Sequence, residues 1–115
     1  MNASEKLCWV YMTAGSIEEA KNIGRELTEQ NLAACVNLLG NMISIYKWGD
    51  KLEGGQEVVM IAKTRKALMP KLIKTVNSLH SYDCPCILEL PIQGGNPDFL
   101  KWILGETDVK YNPPI

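Results

Sequence analysis

A single histidine, His80, is all the imidazole this chain has, and that scarcity removes most of the acid–base chemistry available near neutral pH. The hydroxyls beside it, Ser78 and Ser81, have no second base nearby, so a hydrolytic triad has no support. Glycine-rich phosphate cradles are missing too, since Ala14-Gly15-Ser16 after the first apolar run is a poor one. Charge of one sign is scarce: 12 Lys and Arg against 13 Asp and Glu leave a formal net charge of -1. Such a balance offers no general attraction to nucleic acid or to an acidic membrane surface. No apolar stretch approaches the length of a membrane-spanning helix, and Met1-Asn2-Ala3-Ser4-Glu5-Lys6 lacks the apolar core of a signal peptide. The expectation is a cytoplasmic protein whose Cys8, Cys35, Cys84 and Cys86 are reduced thiols. Linkers, repeats and low-complexity segments are also absent, and 115 residues make one domain, residues 1–115.

What is present is dominated by the stretch from Leu32 to Thr64. Two apolar, β-branched runs flank the polar segment Gly49-Asp50-Lys51-Leu52-Glu53-Gly54-Gly55, which reads as the turn of one long β-hairpin. Ala33 to Leu39 and Ser44 to Trp48 lead in, and Gln56 to Thr64 leads out. Upstream, Leu7-Cys8-Trp9-Val10-Tyr11-Met12-Thr13 is an unbroken apolar run, the mark of a central strand. Ser16 with Glu19 three residues on is a capping box opening a helix with Ile17, Ala20, Ile23, Gly24 and Leu27 inward. A second helix is predicted over 66–79, with Leu68, Leu72, Ile73, Val76 and Leu79 inward and Pro70 in its first turn. Cys86 to Leu90 reads as a fourth strand closed by Pro91. Asn96 caps a third helix that holds Phe99, Leu100, Trp102 and Ile103 and is ended by Gly105. The tail from Asp108 to Ile115 reads as extended.

Strand, helix, strand, strand, helix, strand is the split βαβ order of the α+β, ferredoxin-like fold, here with an extra C-terminal helix. Right-handed crossovers place both main helices on one face of an antiparallel sheet and leave the other face bare. A long hairpin with apolar side chains and an uncovered sheet face both ask for a second chain, so a closed symmetric assembly is expected.

The residues offer three kinds of site. Cys84-Pro85-Cys86 sets two thiols two residues apart, and Pro85 biases Cys84 to an extended backbone, so both can point to one side with His80 upstream. Thiolates with imidazole suit Cu(I) or Zn(II); the same cysteines also fit as small buried hydrophobes. A cleft between subunits is the second, with Lys63 and Arg65 at a strand-to-helix junction and Trp48 and Tyr82 as stacking or hydrogen-bonding groups. It would take a small anion or a protein partner, and solvated charges at a helix start explain the same residues. A symmetric scaffold for another protein is the third. Trp9, Tyr11, Tyr46 and Trp48 lack the basic companions of an RNA-stacking platform and read as core or interface. None of these readings is catalytic.

Leu32-Ala33-Ala34-Cys35-Val36-Asn37, Ser44-Ile45-Tyr46-Lys47-Trp48, Ile61-Ala62-Lys63-Thr64, His80 to Ile87, Leu90-Pro91-Ile92, Gly95-Asn96 and Leu100-Lys101-Trp102-Ile103 occur in an order and spacing that resembles the CutA divalent-cation tolerance family. The resemblance runs from Cys8 to about Thr107. It implies a ferredoxin-like fold, a tight homotrimer similar to the PII signalling proteins, and a link to tolerance of copper and other divalent metals. This chain departs from the family pattern at Ser81, Asp83 and Cys86, where proline, glutamate and a second carboxylate are usual. The resemblance also implies a copper ligand at the end of the first strand, a position held here by Met12, with His80 at the adjoining histidine position.

Overall fold

The computed structural model describes residues 6–108. Four strands, β1 (Leu7–Ala14), β2 (Cys35–Trp48), β3 (Lys51–Arg65) and β4 (Ile87–Ile92), form one antiparallel sheet in the order β2-β3-β1-β4. Helix α1 (Ile17–Glu29) links β1 to β2. A short 3-10 turn, Lys66–Leu68, and α2 (Met69–Leu79) link β3 to β4, and α3 (Pro97–Glu106) follows β4. The split βαβ order is thus realised with the extra helix at the end. Apart from Asp108, the tail expected from the sequence lies outside the described residues.

The register shows which side chains share a face. Cys8, Val10, Met12 and Ala14 of β1 stand opposite Thr64, Ala62, Met60 and Val58 of β3. Together with Ala20, Ile23 and Leu27 of α1 and Leu72 and Val76 of α2 they form the core. The helix-side stripe therefore follows from the period of two in the strands and about 3.6 in the helices. Thr64 is the polar member, and its hydroxyl donates to the Leu32 carbonyl at 2.6 Å. The alternate residues, Trp9 and Tyr11 with Lys63, Ile61, Leu88 and Leu90 across the neighbouring strands, face away from α1 and α2. Among the described residues only α3 lies on that side: Ile103, Leu100 and Phe99 border the same hollow as Trp9 and Lys63. Trp9, Leu39, Leu88 and Leu90 remain exposed there, so this face is only partly covered.

Several sequence expectations shift in detail. The hairpin turn is Gly49-Asp50 alone, with Trp48 paired to Lys51; the segment 51–55 continues β3. Gly49 has φ +65°, a left-handed conformation open to glycine, which suits a two-residue hairpin turn. The glycines at 54 and 55 that suggested the turn instead pair with Ile45 and Ser44. β2 is continuous through a bulge at Gly40-Asn41, where Asn41 has φ 64° and the register slips between Leu39 and Met42. Pro91 lies inside β4, which it can do because β4 is an edge strand. Ile17 and Ile73 lie on the rims of their helices, each 37% exposed. In α3 only Ile103 is buried, while Phe99 and Trp102 stay exposed. α3 also runs one residue past Gly105, to Glu106.

Beyond the bulge, the pairs from Met42–Glu57 to Trp48–Lys51 project as an arm. A 15.2 Å radius of gyration and a 47 Å long axis reflect it, since a compact domain of about 100 residues has a radius near 13 Å.

Candidate functional site

The loop between α2 and β4 carries His80, Tyr82, Cys84 and Cys86 to the C-terminal end of β1 and the root of the arm. α2 stops at Leu79, and the His80 N–H donates to Val76 O as the last helical bond. The side chain of His80 is fully enclosed. Its Nε2 lies 2.7 Å from Thr13 O, and its Nδ1 accepts from the Tyr82 N–H at 3.0 Å. One neutral tautomer, with the proton on Nε2, satisfies both bonds. Both ring nitrogens are therefore committed to backbone groups, and His80 pins the loop onto β1.

Glu19 holds the same loop from the other side. Ser16 Oγ accepts from the Glu19 N–H at 3.1 Å, the expected cap. The Glu19 carboxylate accepts from the N–H of Gly15 at 3.2 Å and of Ser81 at 2.7 Å. The capping box thus reaches one residue further back than usual and spans to a distant loop. Burial works to raise the pKa of Glu19. The Ser81 and Gly15 hydrogen bonds outweigh it and hold this carboxyl below the ordinary value.

Tyr82 packs against His80, with ring centroids 4.7 Å apart, and donates its hydroxyl to Glu57 Oε2 on the arm at 3.0 Å. Ser44 donates to the other oxygen, Glu57 Oε1, at 2.7 Å. Burial first, and the Glu57 carboxylate second, push the Tyr82 phenol up to about 12, so it remains a neutral donor. Between loop and arm lies a cavity of about 480 Å³ lined by Tyr46, Trp48 and Tyr82, by Glu53, Glu57 and Asp83, and by Cys84.

The four residues expected to share a cleft separate within one subunit. Trp48 and Tyr82 line this cavity. Lys63 instead donates to Asn37 Oδ1 at 2.6 Å, contacts Cys35 Sγ at 3.5 Å and lies 5.8 Å from the Phe99 ring centroid. Arg65 is drawn onto α3, where Nε donates to Thr107 Oγ1 at 3.0 Å and the guanidinium also reaches Leu104 O.

The expected metal ligands do not converge within one subunit either. Met12 is fully buried in the helix-side core, facing Met60 and Ile87 across the sheet, while the nitrogens of His80 are taken. Cys84 is exposed, and Cys86 is half-buried with its thiol pushed up by burial and then by Glu57; both are free thiols. Among the described residues no three His, Cys, Asp or Glu side chains assemble into a group able to hold a metal ion. Sequence reasoning missed Glu57, Glu53, Asp83 and Tyr46 as cavity residues. The one available signal was a carboxylate, Glu57, at the head of the apolar strand run Val58 to Ala62.

A family model described as CutA1 divalent ion tolerance protein matches residues 8–106. The chain is similar to Protein CutA of Mus musculus, 41% identical over 102 residues. That match covers 89% of this chain and 58% of the mouse protein, so the chain spans little more than half the mouse protein's length. It is 42% identical over 95 residues to the Divalent-cation tolerance protein CutA of Archaeoglobus fulgidus, covering 83% of this chain and 92% of that one. The solved structure of the Periplasmic divalent cation tolerance protein CutA from Archaeoglobus fulgidus superposes with a TM-score of 0.86 at 39% identity, covering 89% of this chain and 99% of that one.

Proposed function

The chain belongs to the CutA1 divalent ion tolerance family, and from that premise we propose that it works without catalysis, as a homotrimer that takes up a divalent or soft metal ion, copper foremost, at sites completed between subunits. The arm carries the assembly reading. Ile43, Ile45 and Leu52 lie on one of its faces, 72 to 75% exposed, and Trp48, 74% exposed, lies on the other with Tyr46. A projecting ribbon that is apolar on both faces cannot be covered by one flat contact. A cyclic assembly offers a neighbour to each side and leaves no free edge. The partly bare sheet face, with Trp9, Leu88 and Leu90, adds to the surface that needs cover. Light scattering coupled to size exclusion is expected to give three times 12.8 kDa; a stable monomer would overturn the reading.

For the metal, Cys84 and Cys86 supply the softest donors on the accessible side of the subunit, and soft donors favour Cu(I) and Zn(II). Among its described residues each subunit falls short of a full ligand set, so the remaining donors come from its neighbour. The thiols must lose their protons to bind, and Cys86 is held protonated by burial and by Glu57, so uptake should strengthen as pH rises. Native mass spectrometry of reduced protein with Cu(I) or Zn(II) tests this. Cys84→Ser with Cys86→Ser should abolish uptake and Cys35→Ser should leave it; equal uptake by the double variant removes the assignment. The four free thiols fit a reducing compartment such as the cytoplasm.

A second reading, a regulatory cleft that binds a small ligand, is favoured by one observation: the cavity between the arm and the 80–86 loop is walled by three aromatic rings.

A further inference from the structure

We propose that the cavity between the arm and the 80–86 loop is a receptor for a small organic cation, an alkylammonium or guanidinium compound, rather than for an anion or a hard metal ion. The proposal rests on the cleft reading above and fixes the chemistry of its ligand. Three independent features of the walls carry it. First, Tyr46, Trp48 and Tyr82 bring three rings to one hollow, and Trp48 is largely unburied. Aromatic faces attract a diffuse cation within about 6 Å, and more strongly as water is excluded. Second, among the described residues every charged side chain lining the hollow is a carboxylate: Glu53, Glu57 and Asp83. Lys47 and Lys51, the cations nearest in sequence, are not among its lining residues although Lys51 pairs with Trp48, and Lys63 and Arg65 are turned to Asn37 and to α3. Third, Glu57 is fixed in place, with one oxygen held by Ser44 from the arm and the other by Tyr82 from the loop. Its negative field is felt on both sides, since it helps raise the Tyr82 phenol and the Cys86 thiol.

These features also exclude the other ligand classes. An anion would meet three carboxylates and no basic side chain. A hard metal ion needs several converging oxygen lone pairs at about 2.0–2.6 Å, whereas both Glu57 oxygens already accept hydroxyl protons and aromatic rings give such an ion nothing. A cation of low charge density keeps its distance from the carboxylates, stacks on the rings and retains long-range attraction. A volume of about 480 Å³ lies within the about 300–1,000 Å³ of small-molecule sites. In the proposed trimer the exposed side of Trp48 meets a neighbour, which would close the fourth wall.

Isothermal titration of the intact protein with choline, agmatine, the neutral choline isostere 3,3-dimethylbutan-1-ol, magnesium chloride and adenosine triphosphate tests the proposal. Choline or agmatine is expected to bind at least about tenfold more tightly than the neutral isostere, as one retained charge contact of about 1.4 kcal/mol requires. Glu57→Gln and the loop variant Asp83→Asn are each expected to weaken it several-fold, with sedimentation checking that the assembly persists. Equal affinity for choline and its neutral isostere overturns the charge argument, and so does binding unaffected by both variants. Binding of the nucleotide but of neither cation leaves the cleft reading standing and refutes the cationic ligand. Absence of binding by every probe refutes both.

Discussion

His80→Ala separates two roles for the only imidazole in the chain. As a metal ligand, its loss would leave the metal-free protein as stable as before. As the pin that joins β1 to the 80–86 loop, its loss must destabilise the metal-free protein. The ring gives one hydrogen bond to Thr13 O at 2.7 Å and takes one from the Tyr82 N–H at 3.0 Å. At about 1 kcal/mol net for each bond, with on the order of 1 kcal/mol more for the volume emptied by a fully enclosed ring, the expected cost is about 3 kcal/mol. With a urea dependence of about 1–3 kcal/mol per molar, the unfolding midpoint should fall by about 1–3 M. The assay is urea unfolding of chelator-treated protein at several protein concentrations, because an assembly's midpoint depends on concentration. Hydrogen exchange gives the local readout: the Tyr82 amide should lose protection while the core amides of β1 and β3 keep theirs. A midpoint within about 0.3 M of the parent, with the Tyr82 amide still protected, would refute the bracket and return His80 to the metal.

Met12→Ala should cost about 2–5 kcal/mol of stability, as expected for a fully buried core methionine, and leave metal uptake per folded subunit unchanged; loss of uptake at unchanged stability would reinstate it as a ligand. Trp48→Ala should weaken assembly by about 2 kcal/mol or more without changing helical circular dichroism, and an unchanged sedimentation profile would make Trp48 a mere surface residue. For Glu19 the folded carboxyl titrates below the ordinary 4.5, so its contribution is fully present above that value and is lost as pH falls through the lower folded value. The stability gap between the parent and Glu19→Gln should therefore narrow on acidification, and a gap that widens would contradict the Ser81 and Gly15 bonds.

The elements were legible in the sequence where local chemistry decides them. Ser16 and Glu19 mark the start of α1, Asn96 and Pro97 that of α3, and the apolar run Leu7 to Thr13 marks a central strand. The hairpin turn was misplaced because Gly54 and Gly55 look like turn residues, yet nothing local reveals that they pair with Ile45 and Ser44. The site was less legible than the fold. The cavity depends on Tyr82 meeting Glu57, 25 residues away, and on His80 meeting the Thr13 carbonyl, 67 residues away. A backbone carbonyl leaves no mark in a motif, so the sequence presented His80 as an available ligand. Lys63 and Arg65 looked like a pair because they are neighbours, whereas each is claimed by a different partner across the fold.

The bulge at Gly40-Asn41 does more than bend β2. Before it, the even-numbered residues Val36 and Leu38 stand opposite Ala62 and Met60 and face the helices. After it, Met42 stands opposite Glu57, and Ser44, Tyr46 and Trp48 face the other way. One extra residue thus resets the phase of the alternation, as a frameshift resets a reading frame. Removing that residue would keep the composition of the arm nearly intact. It would leave Met42 opposite Glu57 and every later pair of the arm as it is, because two residues of β2 share one partner, Val58, and the bulge alone absorbs the difference. The extra residue thus lets even-numbered residues of one strand do two jobs, Val36 and Leu38 meeting the core while Ser44, Tyr46 and Trp48 share the face of Glu57.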